Sequence, residues 1–276
     1  MPSDRLLTRP FLLASLANFL NGIAFALFLH LSGFLSDLGA GDAQIGLIFA
    51  LAAVASILVR PLVGNAMDRW GRRLVIMVGN VLNVAFIFGY LAVTDLGPVV
   101  HLVRVGHGMS EAMLFSALFT YGVDVIPQSK RTQGIALFGV SGLLPIAVAG
   151  VLGDVILATA GYRELFITAG AFAMATLLVS LPLAERKPVT TPETAQRGFW
   201  SVVRLKELRP VWWMVGWFSY VLTGYFVFIR RFVDDTGAGT VGLFFTAYAV
   251  TAVVERIALG WLPDRVGRYR VLYPAF

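Results

Sequence analysis

R-P-L-V-G-N-A-M-D-R-W-G-R-R, residues 60–73, is written a second time at residues 256–269 as R-I-A-L-G-W-L-P-D-R-V-G-R-Y. At that shift Arg60, Gly64, Asp68, Arg69, Gly71 and Arg72 recur as Arg256, Gly260, Asp264, Arg265, Gly267 and Arg268. The match reaches upstream and downstream of the loop. Gly46, Leu47, Phe49, Ala53 and Val54 pair with Gly242, Leu243, Phe245, Ala249 and Val250, and Val75 pairs with Val271. From Ile45 to Val75, 12 of 31 positions are identical, where an apolar-biased composition alone gives about 3. Composition accounts for shared Ala and Val but not for a shared Arg-x3-Gly-x3-Asp-Arg-x-Gly-Arg. The chain therefore carries an internal duplication.

Both copies follow long apolar segments, and such segments recur along all 276 residues. Mean hydropathy is +0.78. Only 14% of residues are charged and 58% are apolar, against roughly 25% charged in soluble domains. Most of this surface must face something other than water, so the fold class expected is an all-α polytopic membrane protein. Eight spans are expected, near Pro10–Phe34, Gln44–Val63, Leu74–Thr94, Val99–Gly122, Thr132–Ala158, Leu165–Leu183, Pro210–Ile229 and Val241–Leu259. They are numbered 1 to 8 below. Val271–Phe276 reads as the opening of a ninth, being too short to cross a bilayer. A charged loop repeated at one membrane face fits a transporter assembled from two related parts.

Basic residues set the orientation. With the N-terminus in the cytoplasm, all of the 22 Lys and Arg residues fall on the inner side except Arg104, Arg163, Arg230 and Arg231. The net charge of +6 is divided among short loops, so it reads as membrane topology and not as a nucleic-acid footprint. Arg5 and Arg9 before an apolar run mimic a signal peptide, but the run continues past Asn18 and Asn21 to Phe34 and reads as a retained first span. The expected location is the bacterial inner membrane. The longest polar stretch, Ala184–Leu208, suits a cytoplasmic linker, with Phe199–Leu208 as an interfacial helix. The domains expected are a six-helix bundle over 1–183, a linker over 184–208 and a partial second bundle over 209–276.

G-N-A-M-D-R-W-G-R-R resembles the signature loop between spans 2 and 3 of the major facilitator superfamily, and G-W-L-P-D-R-V-G-R-Y resembles its degenerate partner between spans 8 and 9. The resemblance extends over essentially the whole chain. It implies two six-helix bundles around a cavity that opens alternately to each side, of which this chain holds eight spans and a stub. It also implies that Arg72 meets a carboxylate at the end of span 4, here Asp124, and that Asp68 latches onto the start of a span 11 beyond this sequence. By the same two-fold logic Asp264 would meet the start of span 5. On physical grounds Gly64 and Gly71 permit a tight turn and close backbone approach. Asp68 suits a helix N-terminus. Together with Arg69, Gly260, Arg265, Gly267 and Arg268, these residues form the expected gating loops, or else charges that only fix topology.

Span 4 holds most of the ionisable groups found within the spans: His101, Arg104, His107 and Glu111. His107 and Glu111 are four apart, hence on one face. A carboxyl near mid-span is expensive and faces a cavity or a partner. Poised between burial and nearby cations, Glu111 can take a proton on one side and release it on the other. Arg104 and His107 would tune it or meet an anionic substrate group. The plainer alternative is a structural Arg–Glu pair between helices. Asn18 and Asn21 of span 1 can bond substrate or a neighbouring helix, whereas Asn80 and Asn83 of span 3 read as packing residues. Gly139, Gly142, Pro145, Gly150 and Gly153 of span 5 loosely resemble the superfamily's antiporter motif. Trp217 and Tyr220 of span 7 could stack on an amphiphilic substrate or simply pack.

The sequence has no cysteine, which excludes disulfides and thiolate metal sites. It has no phosphate-binding loop, no H-E-x-x-H and no serine elbow, so an enzyme or ATP-driven pump has no support. No cofactor or metal is expected. The partners implied are a small organic solute, protons and the lipid bilayer; nothing fixes an oligomeric state. The function expected is proton-coupled efflux of a small organic solute. Transport of an organic anion or sugar, or a truncated non-transporting product, are the alternatives. Spans 10 to 12 would be needed to cover the polar faces of the cavity. The 276-residue chain alone is therefore expected to show little flux in proteoliposomes, and robust flux there would overturn that expectation.

Overall fold

The computed structural model describes residues 5–185, 204–259 and 270 of the chain. Among them every regular element is a helix. Span 1 starts at Arg9, where Thr8 accepts a hydrogen bond from the Phe11 N–H at 3.5 Å and Pro10 occupies the first turn. Its helix Arg9–Ala26 passes through a 3₁₀ turn, Leu27–His30, into Leu31–Asp37. Span 2, Asp42–Trp70, is closed at its start by the Gln44 side chain, which accepts from the Gly41 N–H at 3.3 Å. Span 3 is Arg72–Gly89 with a 3₁₀ extension Tyr90–Ala92, span 4 is Pro98–Asp124, span 5 is Arg131–Thr159 and span 6 is Tyr162–Ser180. Span 7, Arg209–Thr236, and span 8, Val241–Leu259, follow the linker.

All eight expected spans are helices. Six are long and apolar enough to cross a membrane; span 8 contributes a shorter apolar helix, Val241–Glu255. Span 4 has the length at 27 residues but not the hydropathy, because His101, Arg104, His107 and Glu111 interrupt it. The expected ninth stub and residues 186–203 of the linker lie outside the described residues. The expected interfacial helix is described only from 204, where Lys206–Leu208 is a single 3₁₀ turn.

Span 2 packs on span 4, span 3 on spans 4 and 6, span 1 on spans 5 and 6, and span 8 on span 5. Two buried apolar clusters result. One lies toward the Arg72 end and includes Phe11, Ile76, Leu114, Tyr121 and Phe138. The other, at the far end, includes Leu27, Leu31, Ile45, Tyr90, Phe166 and Phe245. The polar side chains of Asn21, Asn83 and Glu111 are buried with them. Without a hydrophobic drive between helices in lipid, close contact depends on small residues. A Cβ on Gly22 would sit 2.7 Å from the Pro145 ring, and one on Gly150 would sit 3.0 Å from Gly242 Cα. Helix-kinking Pro145 of span 5 thus packs into a notch on span 1.

Between spans 4 and 5, a Cβ on Gly122 would meet the Phe138 ring at 2.5 Å, and Phe138 is only 1% exposed. The ring has no room to retreat. Gly122→Val is expected to destabilise the protein by about 1–3 kcal/mol through overpacking, read as a lower midpoint in thermal unfolding in detergent. A midpoint equal to the parent's would contradict this packing.

Candidate functional site

Glu111 stands at the middle of span 4, 9% exposed. Its Oε2 accepts from Asn21 Nδ2 of span 1 at 3.1 Å, and its Oε1 accepts from Asn83 Nδ2 of span 3 at 2.8 Å. Asn83 Nδ2 also reaches Asn21 Oδ1 at 3.3 Å, and Ser110 Oγ donates to Asn83 Oδ1 at 3.1 Å. Four residues on three helices therefore form one connected network. Burying a carboxyl without such donors would carry a heavy desolvation penalty. His107 Nε2 lies 3.7 Å from Glu111 Oε1, while its Nδ1 faces the Tyr90 hydroxyl at 3.5 Å. The ring is fully buried and packs on Phe28 with centroids 4.3 Å apart.

On the other side of Glu111 lies a cavity of about 810 Å³. Asn18, Asn21, Arg60, Arg104 and Glu111 supply most of its polar lining, and Phe25, Phe49, Phe115, Phe119, Phe138 and Phe228 much of its apolar wall. The Asn18 amide donates to Ser141 Oγ of span 5 at 3.0 Å, so it serves helix packing and cavity lining together. The Arg104 guanidinium lies over the Phe49 ring, 4.4 Å from its centroid. Its Nε is buried with no hydrogen-bond partner among the described residues. Among the described residues Arg104 and Glu111, both on span 4, form no ion pair with each other.

His107 does not line the cavity; it sits behind Glu111 in the packed core. Trp217 and Tyr220 do not line it either. Span 7 reaches the cavity only from Thr223 onward, with Val227 and Phe228, and its buried residues are Val227 and Ile229. Trp217 and Tyr220 fall one to two turns earlier, where they are 63% and 74% exposed and touch each other edge to face at 6.1 Å. Asn83, read as a packing residue, is a direct partner of Glu111. An Asn pair in the middle of an apolar span was the available signal, but which helix it faces is not a local property.

At the signature loop, Gly71 adopts φ +96° and ends span 2, a conformation that favours glycine. Arg72 is buried, donating from Nη1 to Asp68 Oδ1 at 3.0 Å and from Nε to Asp124 Oδ2 at 3.1 Å. The Arg73 N–H donates to Glu185 Oε1 at 3.2 Å, tying the loop to the end of span 6. Two expectations are corrected. Gly64 is not part of the turn: span 2 stays helical to Trp70, and a Cβ on Gly64 would meet nothing within 4 Å. Asp68 caps no helix N-terminus, because it sits in the last turn of span 2, four residues before its partner Arg72. Arg69 is exposed beside the Trp70 ring, 5.9 Å from its centroid. Gly260, Asp264, Arg265, Gly267 and Arg268 lie outside the described residues.

The opposite end is closed by polar contacts among Arg230, Arg231 and the carboxylates around them. Arg231 Nε meets Asp42 Oδ1 at 2.8 Å and Arg231 Nη1 donates to Ser36 Oγ at 3.3 Å. Asp154 Oδ2 accepts from the Gly242 N–H at 2.6 Å, and Asp154 Oδ1 lies 3.9 Å from Arg230 Nη1. Arg230 also pairs with Asp234 at 2.9 Å, and Arg231 faces Asp235 at 3.7 Å. These hydrogen bonds and ion pairs join spans 7 and 8 to spans 1, 2 and 5 at this end.

The arrangement is a mainly apolar cavity between helices with a few polar and charged groups on its wall, and the comparisons agree with it. The Major Facilitator Superfamily model matches residues 11–276. The quinolone resistance protein NorA of Staphylococcus aureus (strain Mu50 / ATCC 700699) is 25% identical over 59% of this chain and 42% of its own length. The multidrug resistance protein MdtL of Klebsiella pneumoniae (strain 342) is 30% identical over 58% of this chain and 41% of its own. These matches span less than half of either relative. The crystal structure of the nucleoside transporter NupG superposes with a TM-score of 0.67 at 15% identity, covering 94% of this chain and 69% of NupG; at that identity the likeness is one of fold. With the match running through every described span and both copies of the loop, the chain belongs to the Major Facilitator Superfamily and is a multi-pass integral membrane protein.

Proposed function

We propose that the protein is a secondary active transporter exporting a small organic solute in exchange for protons, with Glu111 as the proton carrier. Residues 1–183 would form one bundle, 184–208 a cytoplasmic linker and 209–276 the start of a second bundle. With the N-terminus and the signature loop in the cytoplasm, the contacts of Arg230, Arg231 and Gly242 hold the outer end together, and solute would load from the cell. The two curated relatives are named for resistance to quinolones and to multiple drugs, which supports export over uptake.

The observation that carries the coupling role is the donor set on Glu111. Ionised, it accepts amide hydrogens from Asn21 and Asn83. A proton on either carboxyl oxygen cancels the charge that strengthens these bonds and makes that oxygen a poorer acceptor. The hold on Asn21 or Asn83, which belong to spans 1 and 3, is then loosened. Proton binding at the cavity wall is in this way tied to helix packing. Solute and proton would compete for one site through alternate access of the cavity to each face. Glu111→Gln keeps the shape and supplies its own amide. In cells expressing the protein, this variant is expected to lose pH-gradient-driven efflux while keeping solute binding. Efflux that still follows the pH gradient would exclude Glu111 as the carrier.

A second reading, that the solute bears an anionic group, is favoured by Arg104. Its guanidinium faces the cavity over Phe49, with Nε unpartnered and no carboxylate within ion-pair distance among the described residues. A cation so placed in a low-dielectric wall is stabilised by an incoming anion. Removing a charged hydrogen-bond partner costs about 1.5–3 kcal/mol, or about tenfold and more in affinity. Arg104→Gln is therefore expected to weaken binding of 2-naphthoate about tenfold, with 2-naphthol affected less and Arg104→Lys retaining most of the affinity. Equal losses for the acid and the neutral analogue would remove the anion reading.

A further inference from the structure

His30 plays no part in the cavity, yet it is fully buried and both ring nitrogens lack a hydrogen-bond partner among the described residues. It lies in the 3₁₀ turn of span 1, at the closed end. Its Nδ1 is 4.0 Å from Asp154 Oδ1, and the ring fills the space that a Cβ on Gly153 would need. The Gly150 carbonyl also faces the ring, without forming a hydrogen bond of ordinary geometry. The charged groups around it come from two other elements: Asp154 on span 5, and Arg230 with its partner Asp234 on span 7. Tyr162 at the start of span 6 and Asp37 at the end of span 1 complete the ionisable set near Arg230. Asp154 is thus shared. One oxygen holds the Gly242 N–H; the other faces both Arg230 and His30.

We infer that His30 and Asp154 form a proton-binding site, separate from Glu111, whose occupation holds the outer end open. This rests on the alternating-access reading above. Arg230 and Gly242 belong to the repeat-bearing second set of helices, while His30 and Asp154 both belong to the first. Opening the far end as a rigid-body motion of one set against the other separates Asp154 from Arg230 and Gly242 but leaves it beside His30. Water then reaches the ring. Arg230, which shared Asp154 Oδ1 with the ring, has gone, and it takes Asp234 with it. A proton from the outer face can bind the imidazole, and the imidazolium pairs with the carboxylate that Arg230 vacated. Closing again requires Arg230 and Gly242 to recover Asp154 from that pair.

The sign follows from linkage. The open state binds the proton more tightly than the closed state, so outer acid shifts the population toward open. The contact of Arg231 with Asp42 sets the baseline of closure. Protons would therefore act twice, once at the outer end to hold it open and once at Glu111 to exchange with solute.

The absence of native cysteine permits a clean distance measurement. Spin labels at Val155→Cys on span 5 and Leu243→Cys on span 8, both exposed positions, report the outer separation in nanodiscs by double electron–electron resonance. Between pH 8 and pH 5, the range in which imidazole titrates, the longer-distance population is expected to rise about threefold or more. His30→Gln is expected to flatten that response. So is Asp154→Asn, which still offers Gly242 an acceptor but gives an imidazolium no carboxylate. No pH response in the parent, a shift to shorter distances in acid, or a parent-like response in either variant would overturn the inference. Failure here leaves Glu111-dependent efflux intact. Failure of the transporter reading would instead appear as absent efflux beside a distance that still follows pH.

Discussion

A carboxyl group buried among apolar helices is the constraint on which the middle of this protein depends. Glu111 can be there because spans 1 and 3 each present an asparagine amide to it, and because Ser110 orients one of those amides. The penalty for an unpaired charge at that depth is large enough that the three helices must keep their relative rotation. The small residues that bring span 5 against span 1, Gly22 beneath Pro145, serve the same requirement from the other side. The cavity then borders Glu111.

Polar chemistry is concentrated at three levels along the helices. At the signature loop, buried Arg72 is neutralised by Asp68 and Asp124, so the loop joins spans 2, 3 and 4 into one rigid corner. At the centre lies the Glu111 network. At the far end, Asp42 and Asp154 receive Arg231 and Arg230 across the gap between the first six spans and the last two. The first two levels are internal to spans 1–6. The third joins the two sets.

Much of the architecture could be read directly. Six of the eight spans stand out in hydropathy, because crossing a bilayer needs about 20 apolar residues whatever the tertiary fold, while span 4 is interrupted by its ionisable residues and span 8 is shorter. The loop was visible because charge is rare in this chain and the pattern occurs twice. The pairing of Arg72 with Asp124 came from the superfamily resemblance and not from spacing, since the two are 52 residues apart. Local reading failed where depth or rotation decides. Trp217 and Tyr220 have a suitable chemistry but lie on the part of span 7 that stands away from the cavity. Gly64 recurs in the repeat yet has open space around it. Asn83 looked like one more packing residue until its amide met Glu111.

By itself the sequence determined the class of fold, the number and order of described spans, the duplication and the family. These depend on composition, periodicity and a repeated local motif, all of which are carried within short stretches of chain. Tertiary structure alone decided which groups share a site. It put Asn21 and Asn83 on Glu111, left Arg104 over Phe49 without a carboxylate, and brought His30, Asp154, Arg230 and Gly242 together from four helices. Hydrogen bonds and ion pairs act over a few ångströms, while these residues are separated by tens to hundreds of positions in the chain. Helix rotation and tilt, which no local pattern encodes, determine whether such groups meet.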